Sequence, residues 1–359
     1  MKLRVILILG LAIAVLGVLG AYLTIRWIES PVLSESAHPP TKIVVIPEGA
    51  AFLQVAQILE REQLIKSRSS FMWLGKKQEA ERKVRPGEYE LHAAMPPMDI
   101  LAKLTAGRVV LHAVTIPEGY TIRQIADVLA EQRITDRDEF VRLAHDKLFV
   151  KSLGIQADTM EGYLYPDTYR FPRPTAGKDV LKTMADQLSH VLTAEWQARA
   201  KEMQLTTHQV LTLASVIEKE TGAGEERPHI ASVFHNRLKK RIPLQSDPTV
   251  IYGLPNFDGN LRKKDLSHPS PYNTYRWAGL PPGPIASPGA DSIRATLYPM
   301  STADLYFVSK NNGTHQFSAT LVEHNRAVEK YQKRPPRTRS SQTSVVPTEG
   351  MSALQQGVS

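Results

Sequence analysis

The pattern of hydrophobic and polar positions changes character several times along the chain. From Val5 to Ile25 it is apolar and uncharged, VILILGLAIAVLGVLGAYLTI. As a helix this run is about 31 Å long, enough to cross the hydrocarbon core of a bilayer. Lys2 and Arg4 precede it, and Arg26 and Glu29 nearly cancel after it. The excess of positive charge before the run predicts a cytoplasmic N-terminus with the remainder outside. A cleaved signal peptide has an apolar core of about 7–15 residues followed by a small-x-small site. This run is longer and no such site follows, so an uncleaved single-pass anchor is predicted. Residues 1–4 are then the cytoplasmic N-terminus, 5–25 the transmembrane helix and 26–41 a linker.

The next stretch repeats itself. Residues 42–65, KIVVIPEGAAFLQVAQILEREQLI, and 112–134, HAVTIPEGYTIRQIADVLAEQRI, share Ile-Pro-Glu-Gly at 46–49 and 116–119. Each copy starts as an apolar strand, turns at Pro-Glu-Gly and enters an amphipathic helix, with Val55, Ile58 and Leu59 on one face in the first and Ile122, Ile125, Val128 and Leu129 in the second. A second short helix is predicted after each, over 67–76 and 137–146, then an aromatic strand, over 87–91 and 162–171. The unit is strand–helix–helix–strand, used twice. A unit of this size buries little surface alone, so the copies are expected to pack together or exchange strands. Glycan binding and passive presentation of the C-terminal half of the chain are both open readings of this region.

Beyond it, residues 178–200 carry Val180, Leu181, Met184, Leu188, Val191 and Leu192 at helical spacing, and 206–221 predict another helix. Proline and glycine are dense from 243 to 290, which predicts irregular structure. A loop of that length is often functional. Helical turns are expected at 292–297 and 302–304, a strand at 304–309 and a closing helix at 320–331. Residues 335–359 are low in complexity and are expected to be a disordered tail.

The helix at 206–221 holds the main candidate for chemistry. Thr206 and Gln209 have capping-box spacing, and Gly222 suits its end. Val210, Leu211, Leu213, Ala214, Val216 and Ile217 fill one wide apolar arc, and Glu218 and Glu220 both fall inside it. They point about 160° apart around the axis, so they cannot share one proton as a tight dyad. A carboxyl taken out of water holds its proton more tightly and can deliver it to a leaving oxygen. The structural alternative pairs them with Arg227, Arg237 or Lys240. Downstream lie Asn236, Gln245, Asp247, Tyr252, Tyr272, Asn273 and Thr274. Amides and hydroxyls bond sugar hydroxyls, and aromatic faces stack on sugar rings.

Composition narrows the options. The chain has 359 residues, a formal charge of +8 and no cysteine. That excludes disulfides, a thiolate nucleophile, a cysteine zinc site and a lipidated N-terminal cysteine. No phosphate-binding Gly-rich loop, dinucleotide turn, His-Glu-x-x-His pair or Gly-x-Ser-x-Gly elbow occurs. The eleven histidines are scattered. Neither a cofactor nor a metal is expected. The positive balance permits an anionic partner, and nucleic acid is not expected to be one.

Taken in order, several stretches resemble one family: 161–169 (EGYLYPDTY), 214–220 (ASVIEKE), 233–238 (VFHNRL), 244–253 (LQSDPTVIYG), 272–275 (YNTY), 279–285 (GLPPGPI) and 306–308 (YFV). The sequence resembles the endolytic murein transglycosylases, also called MltG or YceG-like proteins, over about residues 1 to 331, with no departure at the motif positions. The resemblance implies an α+β fold: an N-terminal transmembrane helix, a LysM-like βααβ repeat region over 42–160, and a mixed α+β catalytic transglycosylase domain over 161–334. It implies that Glu218 is the single catalytic acid/base, and that Glu220, Asn236, Gln245, Asp247, Tyr252, Tyr272, Asn273 and Thr274 serve the substrate.

With one carboxyl, the implied chemistry is cleavage between MurNAc and GlcNAc with the MurNAc C6 hydroxyl as nucleophile, leaving a 1,6-anhydro-MurNAc end. The implied partners are peptidoglycan glycan strands and, through residues 5–25, the bacterial inner (cytoplasmic) membrane, with the catalytic domain periplasmic. Peptidoglycan synthases are a further expected partner, because a short tether favours strands still being made. Two alternatives stay open: a hydrolytic muramidase using Glu218 with a second acid such as Asp247, and a non-catalytic glycan-binding scaffold.

Overall fold

A computed structural model describes residues 2–34, 39–220 and 222–333. The expected disordered tail at 335–359 lies outside them. The N-terminal run forms one helix, α1 (Lys2–Glu29), longer than the 5–25 of the apolar count. Its residues 8–29 have a mean hydropathy of 2.4 and none of that stretch is buried in the protein. By length and composition the segment can cross a membrane.

The first repeat copy comprises β1 (Lys42–Ile46), α2 (Phe52–Arg61), α3 (Arg68–Lys77), β2 (Gly87–Leu91) and α4 (Pro97–Ala106). The second comprises β3 (His112–Thr115), α5 (Ile122–Glu131), α6 (Arg137–Ala144), α7 (Lys147–Ser152) and β4 (Thr168–Phe171). Strands do not exchange between copies. β1 pairs antiparallel with β2, Lys42 opposite Leu91 and Ile46 opposite Gly87. β3 pairs antiparallel with β4, His112 opposite Phe171 and Thr115 opposite Thr168.

The duplication extends to side-chain placement across the turn and first helix. Phe52, Val55, Ala56 and Leu59 are the buried face of α2, and Ile122, Ile125, Ala126 and Leu129 that of α5. The positive-φ residues Gln63 and Arg133 recur at the same offset, as do Gly49 and Gly119.

The expectation that one copy buries little is corrected by α4. Its Ile100, Leu101 and Leu104 close a core of the first copy with Val44, Ile46, Leu59, Leu74, Tyr89 and Leu91. The buried Tyr89 hydroxyl donates to the Arg85 carbonyl at 2.7 Å. The second copy has no such private core. Its Val114, Ile125 and Leu129 are continuous with helices from the rest of the chain.

Those helices are α8 (Gly177–Val191), α9 (Ala194–Glu202), α10 (Thr207–Glu220), α11 (Arg227–Lys239), α12 (Asp247–Gly253) and α13 (Ala290–Leu297), followed by β5 (Tyr306–Ser309), β6 (His315–Ser318) and α14 (Leu321–Val328). The single helix expected over 178–200 is two, because the Thr193 hydroxyl accepts from the Trp196 amide at 3.2 Å and caps a new start. Residues 302–304, expected as a helical turn, have no regular secondary structure. There the Asn236 amide donates to the Thr302 and Asp304 carbonyls, so a side chain satisfies groups that helical bonds would have used. β5 and β6 form an antiparallel pair, Tyr306 opposite Ser318.

α10 is the central element. Residues 210–217 are all buried. Val210, Leu211 and Ala214 face the core shared with the second copy, together with Val180, Leu181, Ile293 and Leu297. Leu213, Val216 and Ile217 face a separate core with Ile230, Phe234, Leu244 and Ile285. The wide apolar arc in the sequence therefore reflects two cores, one on each side. A buried leucine here truncated to alanine costs about 2–5 kcal/mol. The buried Ser215 hydroxyl accepts the Ile285 amide at 3.0 Å. That bond lays the Pro-rich segment 279–289 along the helix.

Candidate active site

α10 emerges from its two cores at its C-terminal turn, and Glu218 stands at that exit. Its side chain is only 6% exposed, and it is paired with Arg227, one of the partners named in the structural alternative. One oxygen, Oε1, accepts from Arg227 Nη2 at 3.2 Å. The other, Oε2, accepts from the backbone amide of Gly289 at 3.0 Å. Both partners are set by nearby structure. Arg227 opens α11, and Gly289 precedes α13 at the end of the segment pinned by Ser215.

Arg227 gathers more than one acid. Besides Glu218, its Nη2 lies 3.7 Å from Glu118 Oε2, and its Nη1 lies 4.0 Å from Asp291 Oδ2. Glu118 belongs to the Pro-Glu-Gly turn of the second repeat copy. Burial, and then the neighbouring charges of Glu218 and Asp291, hold its carboxyl above the usual range against the pull of Arg227. Beside this cluster lies an open cleft of about 440 Å³ lined by Arg227, Asp291, Arg294 and Tyr298. Volumes of this order suit small ligands or short polymer segments.

Glu220 shares no partner with Glu218, as its direction on the helix predicts. Its carboxyl accepts from the Ser246 hydroxyl. Burial pushes it up to about 7, and Asp247 adds to the rise, while Ser246 and Arg237 oppose it. Arg237 ties this region together. It donates to the carbonyls of Leu305, Pro243 and Leu244 and to Gln245 Oε1.

The other predicted residues divide by exposure. Gln245 and Asp247 are exposed. Gln245 sits at φ 54°, a left-handed conformation unusual for a residue with a side chain. Asp247 accepts from the Tyr275 hydroxyl at 2.7 Å. Thr274 is buried: its hydroxyl accepts the Ser246 amide at 3.0 Å, and its carbonyl accepts the Gln245 amide at 3.1 Å. Asn273 is fully buried and donates to the Leu266 and His268 carbonyls. Asn236 is engaged with Thr302 and Asp304 in the same manner.

Tyr252 and Tyr272 lie together, ring centroids 4.8 Å apart. The Tyr252 hydroxyl donates to Glu161 at 3.1 Å. Glu161 also accepts the Ile122 amide at 3.1 Å, and burial pushes its carboxyl up to about 7. Glu218 and the other eight residues therefore do not converge on one point. Glu218 is grouped with Arg227, Glu118 and Gly289. Glu220, Gln245, Asp247 and Thr274 form a second group around Ser246 and Arg237.

Sequence reasoning missed Glu118 and Gly289 as neighbours of Glu218. For Glu118 a signal existed, since Pro-Glu-Gly is repeated, but its placement 100 positions from Glu218 is a tertiary fact. Gly289 contributes only its backbone, which no side-chain pattern reveals.

Glu218 is thus a nearly enclosed carboxyl held by a guanidinium and a backbone amide, beside an open cleft. The chain belongs to the YceG-like family, whose sequence model matches residues 44–330. It is 37% identical over 328 residues to the endolytic murein transglycosylase of Bacillus subtilis, covering 87% of this chain and 90% of that one. It is 28% identical to the endolytic murein transglycosylase of Streptococcus pneumoniae serotype 2, covering 86% of this chain and 62% of that longer protein. Its fold is similar to the crystal structure of a YceG-like protein from Listeria monocytogenes, with a TM-score of 0.56 and 35% identity, over 80% of this chain and 99% of that one.

Proposed function

We infer that this chain is an endolytic peptidoglycan lytic transglycosylase, with Glu218 as its acid and base. The observation that carries the reading is the near-complete enclosure of the Glu218 side chain beside an open cleft, in a chain related over most of its length to endolytic murein transglycosylases. Glu218 gives a proton to the oxygen joining MurNAc C1 to GlcNAc, and the C1–O bond breaks. The resulting carboxylate takes the proton of the MurNAc C6 hydroxyl as that oxygen bonds to C1. The products are a GlcNAc hydroxyl and a 1,6-anhydro-MurNAc end, and no water enters. A tethered nucleophile supplies the proximity that a second carboxylate gives to water in an ordinary glycosidase. To meet the substrate, Glu218 exchanges one of its two present hydrogen bonds for the glycosidic oxygen.

The remaining residues take two kinds of role. Gln245 and Asp247, both exposed, are assigned to contact with the glycan, and Tyr252 and Tyr272 to an aromatic wall beside it. Glu220 and Thr274, joined through Ser246, and Asn236 and Asn273, bound to backbone carbonyls, hold that surface in place. The two strand–helix–helix–strand copies are assigned to a LysM-like region. Their twofold use of one unit and the strand pairing within each copy support it. Helix α1 anchors the chain in the bacterial inner membrane, with the remainder periplasmic and close to strands under synthesis. Digestion of peptidoglycan in ¹⁸O-labelled water tests the chemistry. New MurNAc ends free of label are expected, whereas label at C1 would identify a hydrolase.

A further inference from the structure

The Pro-Glu-Gly turn occurs twice, and the two copies have different surroundings. Gly49 and Gly119 have nearly the same conformation, φ +71° and +74°. A side chain added at Gly49 would meet nothing within 4 Å, whereas one at Gly119 would meet Lys219 at 3.5 Å and Glu218 at 3.6 Å. Glu48 and Glu118 are both exposed, Glu118 with 48% of its side chain accessible, so the two glutamates differ in what their turns rest on rather than in exposure. The second turn is seated on the C-terminal end of α10. The Gly119 amide donates to the Ser287 carbonyl and the Ser287 amide to the Tyr120 carbonyl, both at 2.8 Å. Lys219 Nζ donates to the Gly119 carbonyl at 3.2 Å. These bonds fix Glu118 against Gly289, where an added methyl group would overlap its carboxylate. They also place Glu118 3.7 Å from the same Arg227 nitrogen that binds Glu218.

We propose that Glu118 is a positioning residue for the reaction at Glu218, acting through their shared Arg227. The proposal rests on the transglycosylase reading. In its protonated, acid form Glu218 is neutral, so Arg227 is then without its closest anionic partner. A guanidinium with a side chain only 13% exposed then needs another. Glu118 is that partner, and it keeps Arg227 in the cleft wall until Glu218 returns as base. Asp291, at 4.0 Å on the other nitrogen, holds the opposite edge of the guanidinium. No bond to substrate is made or broken at Glu118. The second repeat copy thus supplies part of the catalytic apparatus, and the first does not.

The charged and titratable groups facing Glu118 are Glu218 from α10, Arg227 from α11, Asp291 from α13 and Tyr165 from the segment before β4. Lys219 lies against its turn. Removing the Glu118 charge takes one negative charge from beside the reacting carboxyl, which makes the acid form of that carboxyl easier to lose. The limb of the pH–rate profile where activity falls with rising pH should therefore move to lower pH.

The test uses the full chain in detergent micelles, purified peptidoglycan sacculi and mass-spectrometric counting of anhydro ends. Glu118→Gln is expected to lower kcat by roughly 10- to 100-fold, the size of effect that small misplacement of a reacting group produces, with KM within about twofold. Its pH limb moves to lower pH, Glu118→Asp recovers part of kcat, and Glu48→Gln matches the parent chain. A Glu118→Gln chain with parental kcat and pH profile would overturn the proposal. So would a fall in kcat accompanied by a lowered Tm and an unmoved profile, because that pattern marks a structural residue. If the parent chain itself forms no anhydro ends, the transglycosylase reading fails first and this proposal with it.

Discussion

Glu161 and Glu220 carry the most strongly perturbed carboxyls among the described residues that are not in contact with Arg227, each pushed up to about 7 by burial. The sign of the consequence is set by linkage. A folded-state value above the ordinary 4.5 means that the folded chain binds the proton more tightly than the unfolded one. The associated stability is fully present below about pH 4.5 and is lost as pH rises through about 7. For the enclosed Glu161 the slope is about 1 kcal/mol per pH unit across that window. Glu161→Gln keeps a neutral acceptor for the Ile122 amide. Its Tm should fall less than that of the parent chain between pH 5 and pH 8. Parallel Tm curves for the two proteins would refute the assignment. Glu161 has a structural meaning as well, since it joins the start of α5 to Tyr252 on α12.

At the scale of elements, the segment 279–289 decides whether Glu218 has its backbone partner. It is held by the Ile285 amide on Ser215 and by close packing of Pro284 on Gly162, which adopts φ +77° and has no room for a side chain. Ser215→Ala leaves the buried Ile285 amide without its acceptor. It should cost about 1–3 kcal/mol in urea unfolding, and it should lower anhydro-end formation by displacing Gly289. A stability loss with full activity would separate the segment from the site. Asn236→Ala tests the hold on the segment 302–304 in the same way. It unpairs the Thr302 and Asp304 carbonyls and should destabilise by about 1–3 kcal/mol, measured by urea midpoint.

The amphipathic helices at 52–61, 122–131 and 207–220 are legible in the sequence because each buries a face set by local spacing. α7 is not, because six residues offer too little pattern, whereas α4 has Pro97, Ile100, Leu101 and Leu104 at helical spacing and is open to the same reading. α12, within a Pro- and Gly-rich stretch, is hidden by its composition. Glu218 is legible from its place on an apolar arc. Its partners Glu118 and Gly289 are not, since one comes from 100 positions away and the other acts through its backbone.

Across the whole molecule, the cores show how the parts cooperate. The first repeat copy closes on itself through α4, whereas the second shares its core with α8, α10 and α13. Mutations in the first core, such as Leu59→Ala, should therefore unfold 42–106 while leaving Glu218 largely supported. Leu129→Ala should reduce both stability and activity, by about 2–5 kcal/mol in the first quantity. Limited proteolysis with parallel activity assays distinguishes the two outcomes, and equal loss of activity in both variants would contradict the division. Helix α1 packs little against the rest, and residues 8–29 bury nothing. A chain lacking residues 1–30 is expected to stay folded and active but to leave the membrane fraction on flotation.

The central claim is that one carboxyl, Glu218, performs both proton transfers in a reaction that consumes no water. Purified sacculi digested with the parent chain and with Glu218→Gln, with mass spectrometry of the released glycans, test it most directly. The expected result is internal cleavage with 1,6-anhydro-MurNAc ends from the parent chain and a loss of at least about 10²-fold in the variant, with the variant still folded by circular dichroism. Anhydro ends formed equally well by Glu218→Gln, or reducing ends from the parent chain, would contradict it.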